Sequence, residues 1–91
     1  MTLRLTDTQG QYLAFIYTYT LLHRRPPAEA DFRDFFRTTP PTIHQMIVTL
    51  TERGFIQRQP GKPRSIVLLV SPDDLPPLRP PQSINSPGTG Y

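Results

Sequence analysis

The sequence contains no cysteine, no tryptophan and no apolar stretch long enough to cross a membrane. The lack of cysteine excludes a disulfide framework and a thiolate metal site, and it fits a reducing compartment. A membrane-spanning helix needs ~20 consecutive apolar residues, so we expect no membrane partner. Residues 1–10 also lack the apolar segment of a secretory signal, and the expected location is the cytoplasm. The 91 residues suffice for one small domain.

Sequence motifs of enzymes are also missing. The chain has no phosphate-binding P-loop, no dinucleotide-binding glycine pattern and no H-E-x-x-H zinc motif. His23 and His44 are expected on different helices, and there is no cysteine to complete a metal site with them. Lys62 and Ser65 fall on an expected exposed loop, where nothing would activate them for nucleophilic chemistry. We therefore expect no enzymatic activity, no metal, no cofactor and no small-molecule substrate.

Proline and positive charge are the features that the chain does have. Six of its twelve prolines lie in the last 21 residues, and the others form three pairs that separate candidate elements. These pairs are Pro26-Pro27, Pro40-Pro41, and Pro60 with Pro63. The net charge of +3 and the pI of about 9.8 permit a nucleic acid or another anionic partner, but they do not identify one.

The pattern of the first 37 residues predicts two helices. Thr6 and Gln9 form a capping box at the start of the first helix, which should end before Pro26-Pro27. Its predicted apolar face consists of Tyr12, Phe15, Ile16, Tyr19 and Leu22. Leu13 lies beside this face, and we expect Tyr17 to be partly exposed. Residues 28–37 form the second helix, whose three phenylalanines recur at helical spacing.

A third helix and a β-hairpin follow. Thr39 is the predicted N-cap of the third helix, prolines are tolerated in its first turn, and Gly54 ends it. Its inward positions are Ile43, Met46, Ile47 and Leu50. Beyond Gly54 the apolar period changes to two, which predicts strands at residues 55–58 and 65–70 joined by a basic loop. The fold class is α+β: a three-helix winged helix-turn-helix with a C-terminal β-hairpin as the wing.

This pattern divides the chain into a domain at residues 1–70 and a proline-rich tail at residues 71–91. The tail has no apolar periodicity, and we expect it to be disordered or extended. Deleting residues 72–91 should then leave the melting temperature unchanged. The run of four prolines within residues 76–81 is also compatible with a polyproline II ligand for an aromatic groove.

Positive charge is concentrated in the region from the third helix to the hairpin loop. Residues 37–64 contain five cations and a single acid, Glu52. The cations are Arg37, Arg53, Arg58, Lys62 and Arg64. Side chains of this kind bind DNA phosphates in a sequence-independent way, so these five are candidate phosphate contacts. The alternative is a solvated basic loop that contacts nothing.

The outward face of the third helix is almost uncharged over its first half. Thr42, His44 and Gln45 carry donors and acceptors that suit base edges, and Val48 suits a thymine methyl group. A helix that is merely solvated would carry lysine and glutamate there. The pattern therefore favours base recognition in double-stranded DNA, although a protein interface also favours an uncharged helical face.

Two stretches of the sequence follow a known pattern. One covers the first helix and the double proline after it, and the other runs from the start of the third helix through the hairpin. The matching positions are Leu5-Thr6, Gln9, Leu13, Phe15-Ile16, Tyr19, Pro26-Pro27, Thr39-Pro40, Thr42-Ile43-His44, Leu50, residues 52–58 and residues 60–66. Over residues 5–69 the chain resembles the N-terminal DNA-binding domain of LexA-type SOS repressors.

The resemblance implies a small transcriptional repressor in the cytoplasm, associated with the nucleoid. The third helix, about residues 40–53, would lie in the major groove, and the wing, residues 57–66, along the phosphate backbone. By resemblance, base contacts fall on Thr39, Pro41, His44 and Gln45. Lys62 and Arg64 of the wing, together with Arg53, would support them.

The chain departs from the family at several positions. Pro41 has no side-chain donor, Phe35 replaces a small residue, and Arg37 replaces the usual turn glycine. The family's C-terminal self-cleaving peptidase domain, which also forms its dimer, has no counterpart here, so we expect no self-cleavage. A homodimer would have to form through the surface of the domain, the tail or the DNA. The alternative function is a winged-helix protein-interaction module that does not bind DNA.

Overall fold

The computed structural model describes residues 4–80. The elements are α1 (Asp7–His23), α2 (Glu29–Phe36), α3 (Pro40–Glu52), β1 (Ile56–Gln57), β2 (Val67–Leu68) and a 3₁₀ turn (Pro72–Asp74). The strands β1 and β2 form one antiparallel sheet. The predicted α+β winged helix-turn-helix is thus confirmed. No helix within the described residues combines the length and the apolar character needed to cross a membrane.

The helix ends follow the capping chemistry of the sequence. The Gln9 N–H donates to Thr6 Oγ1 at 3.0 Å, and the Thr6 N–H donates to Gln9 Oε1 at 3.1 Å. Thr39 caps α3, with Pro40 and Pro41 in the first turn. Arg37 adopts a left-handed conformation with φ 54° after α2. A turn glycine adopts this conformation without strain, whereas arginine does so at a cost.

The core lies where α1, α2, α3 and the hairpin meet. Its buried apolar side chains are Tyr12, Leu13, Phe15, Ile16, Phe32, Ile43, Ile47, Leu50, Phe55, Ile56 and Ile66. Tyr12 stacks on Phe36 with ring centroids 4.4 Å apart, and burial raises the pKa of Tyr12 above its ordinary value. Phe35 packs on Phe15 at 4.8 Å, so its larger ring is accommodated by an aromatic neighbour on α1.

The prediction for the last turn of α1 is wrong at Leu22. Its side chain is 71% exposed, and Leu21 beside it is 62% exposed. The buried residues of α1 are confined to residues 9–16, because the last turns of the helix extend beyond the core. Tyr17 is exposed, as predicted.

The hairpin is shorter than the sequence predicts. Ile56 pairs with Leu68, and Gln57 pairs with Val67. The Leu69 N–H also donates to the Phe55 carbonyl at 2.9 Å, next to the paired residues. Each strand therefore has two residues instead of the expected four to six. Strands this short give the wing little stability of their own.

Residues 71–80, which we call the C-terminal strap, pack against α1. The sequence pattern predicts a disordered or extended tail there; residues 76–80 form no helix or strand, but Leu75 and Leu78 lie against the core. A Cβ on Gly10 would be 2.9 Å from Pro76 Cγ, so only glycine permits this close approach. Of the proline motif at residues 76–81, Pro76 lies against Gly10 and the Pro77 carbonyl is bonded to α1, whereas residue 81 lies outside the described residues. The rest of the expected tail, residues 81–91, lies outside the described residues.

Gln11 fixes the C-terminal strap through its side-chain amide. Its Nε2 donates to the Pro77 carbonyl at 3.0 Å, and its Oε1 accepts from the Arg79 N–H at 2.8 Å. The Arg79 guanidinium also donates to both carboxylate oxygens of Asp7 at 2.8 Å. Gln11 is only 7% exposed, so loss of its amide would leave backbone groups without partners.

Truncation after Val70 should therefore lower the melting temperature, in contrast to the expectation from sequence. We expect a fall of about 5 °C or more, because a loss of ~1 kcal/mol shifts the midpoint of a domain this size by about 4–8 °C. Gln11→Ala should give a smaller fall in the same direction. Thermal unfolding followed by circular dichroism measures both.

The matched controls are truncation after Pro80, which keeps every contact of the strap, and Gln57→Ala at an exposed glutamine. Both should melt like the parent. Equal melting temperatures for the parent and the chain truncated after Val70 would contradict a packed strap.

Candidate nucleic-acid interface

The exposed face of α3 presents the candidate base contacts together. Thr39, Pro41, Thr42, His44 and Gln45 are exposed, whereas Val48 is half-buried. Pro41, His44, Gln45 and Val48 follow the i, i+3, i+4, i+7 spacing of one helical face. The helix thus carries the predicted polar side chains on one accessible surface.

Thr39 and Thr42 are partly engaged within the protein. The Thr39 hydroxyl accepts from the Thr42 N–H at 3.4 Å and lies 2.9 Å from the Thr42 hydroxyl. This pair closes the first turn of α3, where the two prolines have no N–H to cap. His44 and Gln45 therefore have the more available polar groups of this face.

A groove separates the face of α3 from the first turn of α1. Its volume is about 600 Å³. It is lined by Thr6, Gln9, Pro41, Thr42, Gln45, Met46 and Thr49. None of the seven is ionisable, so the uncharged surface continues from α3 onto the start of α1.

Glu29 of α2 is a residue of this surface that the sequence analysis did not single out. Its Oε2 lies 3.7 Å from His44 Nδ1 and 3.3 Å from Arg58 Nη1. The carboxylate thus links a candidate base contact on α3 with a candidate phosphate contact after β1. No short-range signal identifies it, because Glu29 and Arg58 are 29 residues apart in the chain.

The five candidate phosphate contacts lie in different environments. Arg37, in the turn before α3, and Lys62, at the hairpin tip, are exposed, and neither side chain has a partner within residues 4–80. Arg53 donates to the Arg4 carbonyl at 3.2 Å and lies over the Phe55 ring, 5.2 Å from its centroid. Arg58 is held by Glu29.

Arg64, by contrast, points toward the body of the domain. Its Nη1 lies 3.1 Å from the Tyr19 hydroxyl, 3.0 Å from Asp31 Oδ2 and 3.3 Å from the Pro26 carbonyl. The hydrogen bond to Tyr19 raises the pKa of Arg64, partial desolvation opposes this, and the charge of Asp31 raises it further. The backbone of Arg64 is left-handed, with φ 57°. One guanidinium thus ties the hairpin loop to the end of α1, to the connection after it and to α2.

The arrangement combines an uncharged, exposed helical face with exposed cations on the turn before it and on the wing. Together with three helices and an antiparallel hairpin, it defines a winged helix-turn-helix domain. The sequence profile of the LexA DNA-binding domain matches residues 2–65. The chain therefore belongs to the LexA DNA-binding domain family.

Curated relatives agree with this assignment. The LexA repressor of Thermosipho africanus is 33% identical over 69 residues, which cover 76% of this chain and 35% of the relative. That of Thermosipho melanesiensis is 33% identical, over 72% of this chain and 33% of the relative. That of Thermotoga petrophila is 32% identical, over 68% and 32%. The chain thus matches about a third of the length of these relatives.

Arg64→Ala should lower the melting temperature by about 5 °C or more, because it leaves Asp31 and the Pro26 carbonyl without this donor. The pKa of Arg64 is raised in the folded state. Its contribution to the free energy of unfolding is therefore complete at every pH below the ordinary pKa of arginine, and it falls only above that pKa. The difference from the parent should therefore be constant between about pH 6 and 9. Thermal unfolding at several pH values measures it.

Lys62→Ala on the same loop is the matched control and should leave the melting temperature unchanged. A double-mutant cycle of Arg64→Ala and Asp31→Asn should show non-additive losses. Additive losses would mean that Arg64 and Asp31 do not interact in solution.

Proposed function

We propose that this chain is the DNA-binding part of a transcriptional repressor, and that α3 lies in the major groove of double-stranded DNA. The observation that carries the proposal is the uncharged face of α3, flanked by the exposed cations Arg37 and Lys62. Membership of the LexA DNA-binding domain family supports it. The function requires binding alone and no catalytic group.

Base recognition is assigned to the exposed side chains of α3. The Gln45 amide can pair with the N6 and N7 positions of an adenine, and His44 can donate or accept at a neighbouring base. Pro41 offers only apolar contact, and Val48 has a half-buried methyl surface. Thr39 and Thr42 support the start of the helix and approach the same groove. Gln45 is therefore the residue with the greatest expected effect on specificity.

Phosphate binding is assigned first to Arg37 and Lys62, whose side chains have no partner within residues 4–80. Arg58 is oriented by Glu29 and Arg53 by the Arg4 carbonyl, so both contribute from fixed positions. For Arg64 we propose a positioning role in the wing, because its guanidinium, although a third of the side chain is exposed, bonds Tyr19 and Asp31.

A repressor of this kind acts by occupying its site on DNA in the cytoplasm, at the nucleoid. A single winged module covers one half-site, and useful specificity normally requires two. We therefore propose that two copies of the chain act together. A stoichiometric protein partner without any duplex binding would instead support the protein-interaction alternative.

Lys62→Ala and Arg37→Ala should each weaken binding to all duplexes and lower the slope of log affinity against log salt by about one, because each removes one phosphate contact. Lys62→Arg keeps the charge and should keep the slope. Arg64→Ala should weaken binding with the slope unchanged, measured well below its melting temperature. Fluorescence anisotropy over a salt series measures all four variants.

A fall of about one in the slope for Arg64→Ala would place this residue on a phosphate and contradict its positioning role. Unchanged slopes for both Lys62→Ala and Arg37→Ala would contradict the proposed binding surface.

Gln45→Ala should change the preference at one base pair, with a loss of discrimination of about 1–3 kcal/mol. Selection of bound duplexes from a random pool, carried out with the parent and the variant, measures the change. Gln59→Ala, on the wing loop, is the control and should keep the base preference of the parent. An identical selected sequence for the parent and Gln45→Ala would exclude Gln45 from base recognition.

A further inference from the structure

The outer edge of β2 is free. Val67 pairs with Gln57, and the Leu69 N–H donates to the Phe55 carbonyl. In an antiparallel ladder, alternate residues direct their N–H and C=O groups to opposite edges. The backbone groups of Leu68 and its alternate neighbours therefore face away from β1. No other strand in the described part of the chain pairs with this edge, and a free edge is a template for a further strand.

This edge opens onto an apolar groove between β2 and the second half of α1. The groove has a volume of about 610 Å³, and its lining includes Tyr17, Leu21, Val67, Leu68 and Val70. Leu21 is 62% exposed and Val67 52%. Exposed apolar surface next to a free strand edge is characteristic of an interaction site.

Charged residues of opposite sign lie at or next to the two ends of the groove. Arg24 lies at the end where the hairpin loop enters β2, beside Pro26. Asp73 and Asp74 follow Pro72, which lies at the other end together with Tyr17. All three ionisable residues are exposed, and none of them forms an ion pair within residues 4–80. Arg24 therefore lines one end of the apolar groove, and the two aspartates come next in sequence after Pro72, which lines the other end.

We propose that a second copy of this chain occupies the groove, with the two β2 strands paired edge to edge and antiparallel about a twofold axis. In this arrangement the start of one β2 meets the end of the other. Arg24 of each copy then faces Asp73 and Asp74 of its partner, so both ends of the groove are complementary at once. A twofold interface uses the same patch on both copies, and this patch is complementary to itself.

The paired strands form a continuous sheet of four strands. The α1 helices of both copies lie on the same side of that sheet, because a twofold axis perpendicular to it preserves its faces. Tyr17 and Leu21 of each copy are then covered by the other. This dimer would bring together the two copies that are proposed to act on DNA, and its biological role rests on that proposal. The interface itself involves no DNA contact.

Sedimentation equilibrium of the full chain without DNA tests the proposal. The mass should rise with protein concentration toward twice the 10.4 kDa of one chain. Leu21→Lys, at an exposed position in the lining of the groove, should raise the dimer dissociation constant by about tenfold or more. Leu22→Lys, on α1 but outside the lining of the groove, is the control and should leave the constant unchanged.

Charge reversal distinguishes the antiparallel arrangement from non-specific association. Arg24→Asp should weaken the dimer, and the addition of Asp73→Lys and Asp74→Lys in the same chain should restore it. Aspartate tolerates the left-handed conformation of residue 24, and thermal unfolding verifies that each variant is folded.

A parent that remains at the mass of one chain at all concentrations overturns the proposal and leaves the groove to a partner other than a second copy. A triple variant that fails to restore the dimer overturns the antiparallel arrangement. Loss of DNA binding in a chain that still dimerises overturns the proposed function and not this inference.

Discussion

The position of the wing depends on Arg64, which makes three of the side-chain contacts that join the hairpin loop to the body of the domain, whereas Arg58 makes one. Strands of two residues do not hold a hairpin in place by themselves, and the loop between them extends over nine residues. Arg64 compensates by binding Tyr19, Asp31 and the Pro26 carbonyl. These bonds tie the loop to the body of the domain, and Lys62 lies at the tip of that loop.

The first half of α1 is the segment on which the other elements of the domain pack. Residues 9–16 are buried on every side, because α2 and α3, the hairpin and the C-terminal strap all pack around this segment. Gln11 shows how the last of these contacts is made: one amide satisfies both a carbonyl and an N–H of an extended chain that has no strand partner. The packed unit within the described residues therefore runs to Arg79, beyond the last strand.

Local chemistry could be predicted from the sequence, whereas contacts between distant residues could not. The caps at Thr6 and Thr39 depend on residues three positions apart. The first residues of α1 and of α3 can therefore be predicted from the sequence. The bonds of Gln11 and Arg64 join residues 33 to 68 positions apart. The sequence also does not distinguish Lys62 from Arg64, because both are cations of one loop. Only the fold shows that Arg64 is bonded within the protein, whereas the Lys62 side chain has no partner within residues 4–80.

These constraints determine how strongly a single domain is expected to bind DNA. Of the five cations in residues 37–64, Arg58 and Arg64 are paired with carboxylates. In addition, Glu29 places a negative charge beside His44. Because few of these cations are unpaired, binding to DNA releases few counterions. The sequence-independent part of the affinity for DNA is therefore expected to be weak. A rigid helix start and an anchored wing limit the entropy lost on binding, but they do not add phosphate contacts. In the proposed repressor, affinity must then come largely from two domains that bind adjacent half-sites together, since linked binding events multiply their affinities.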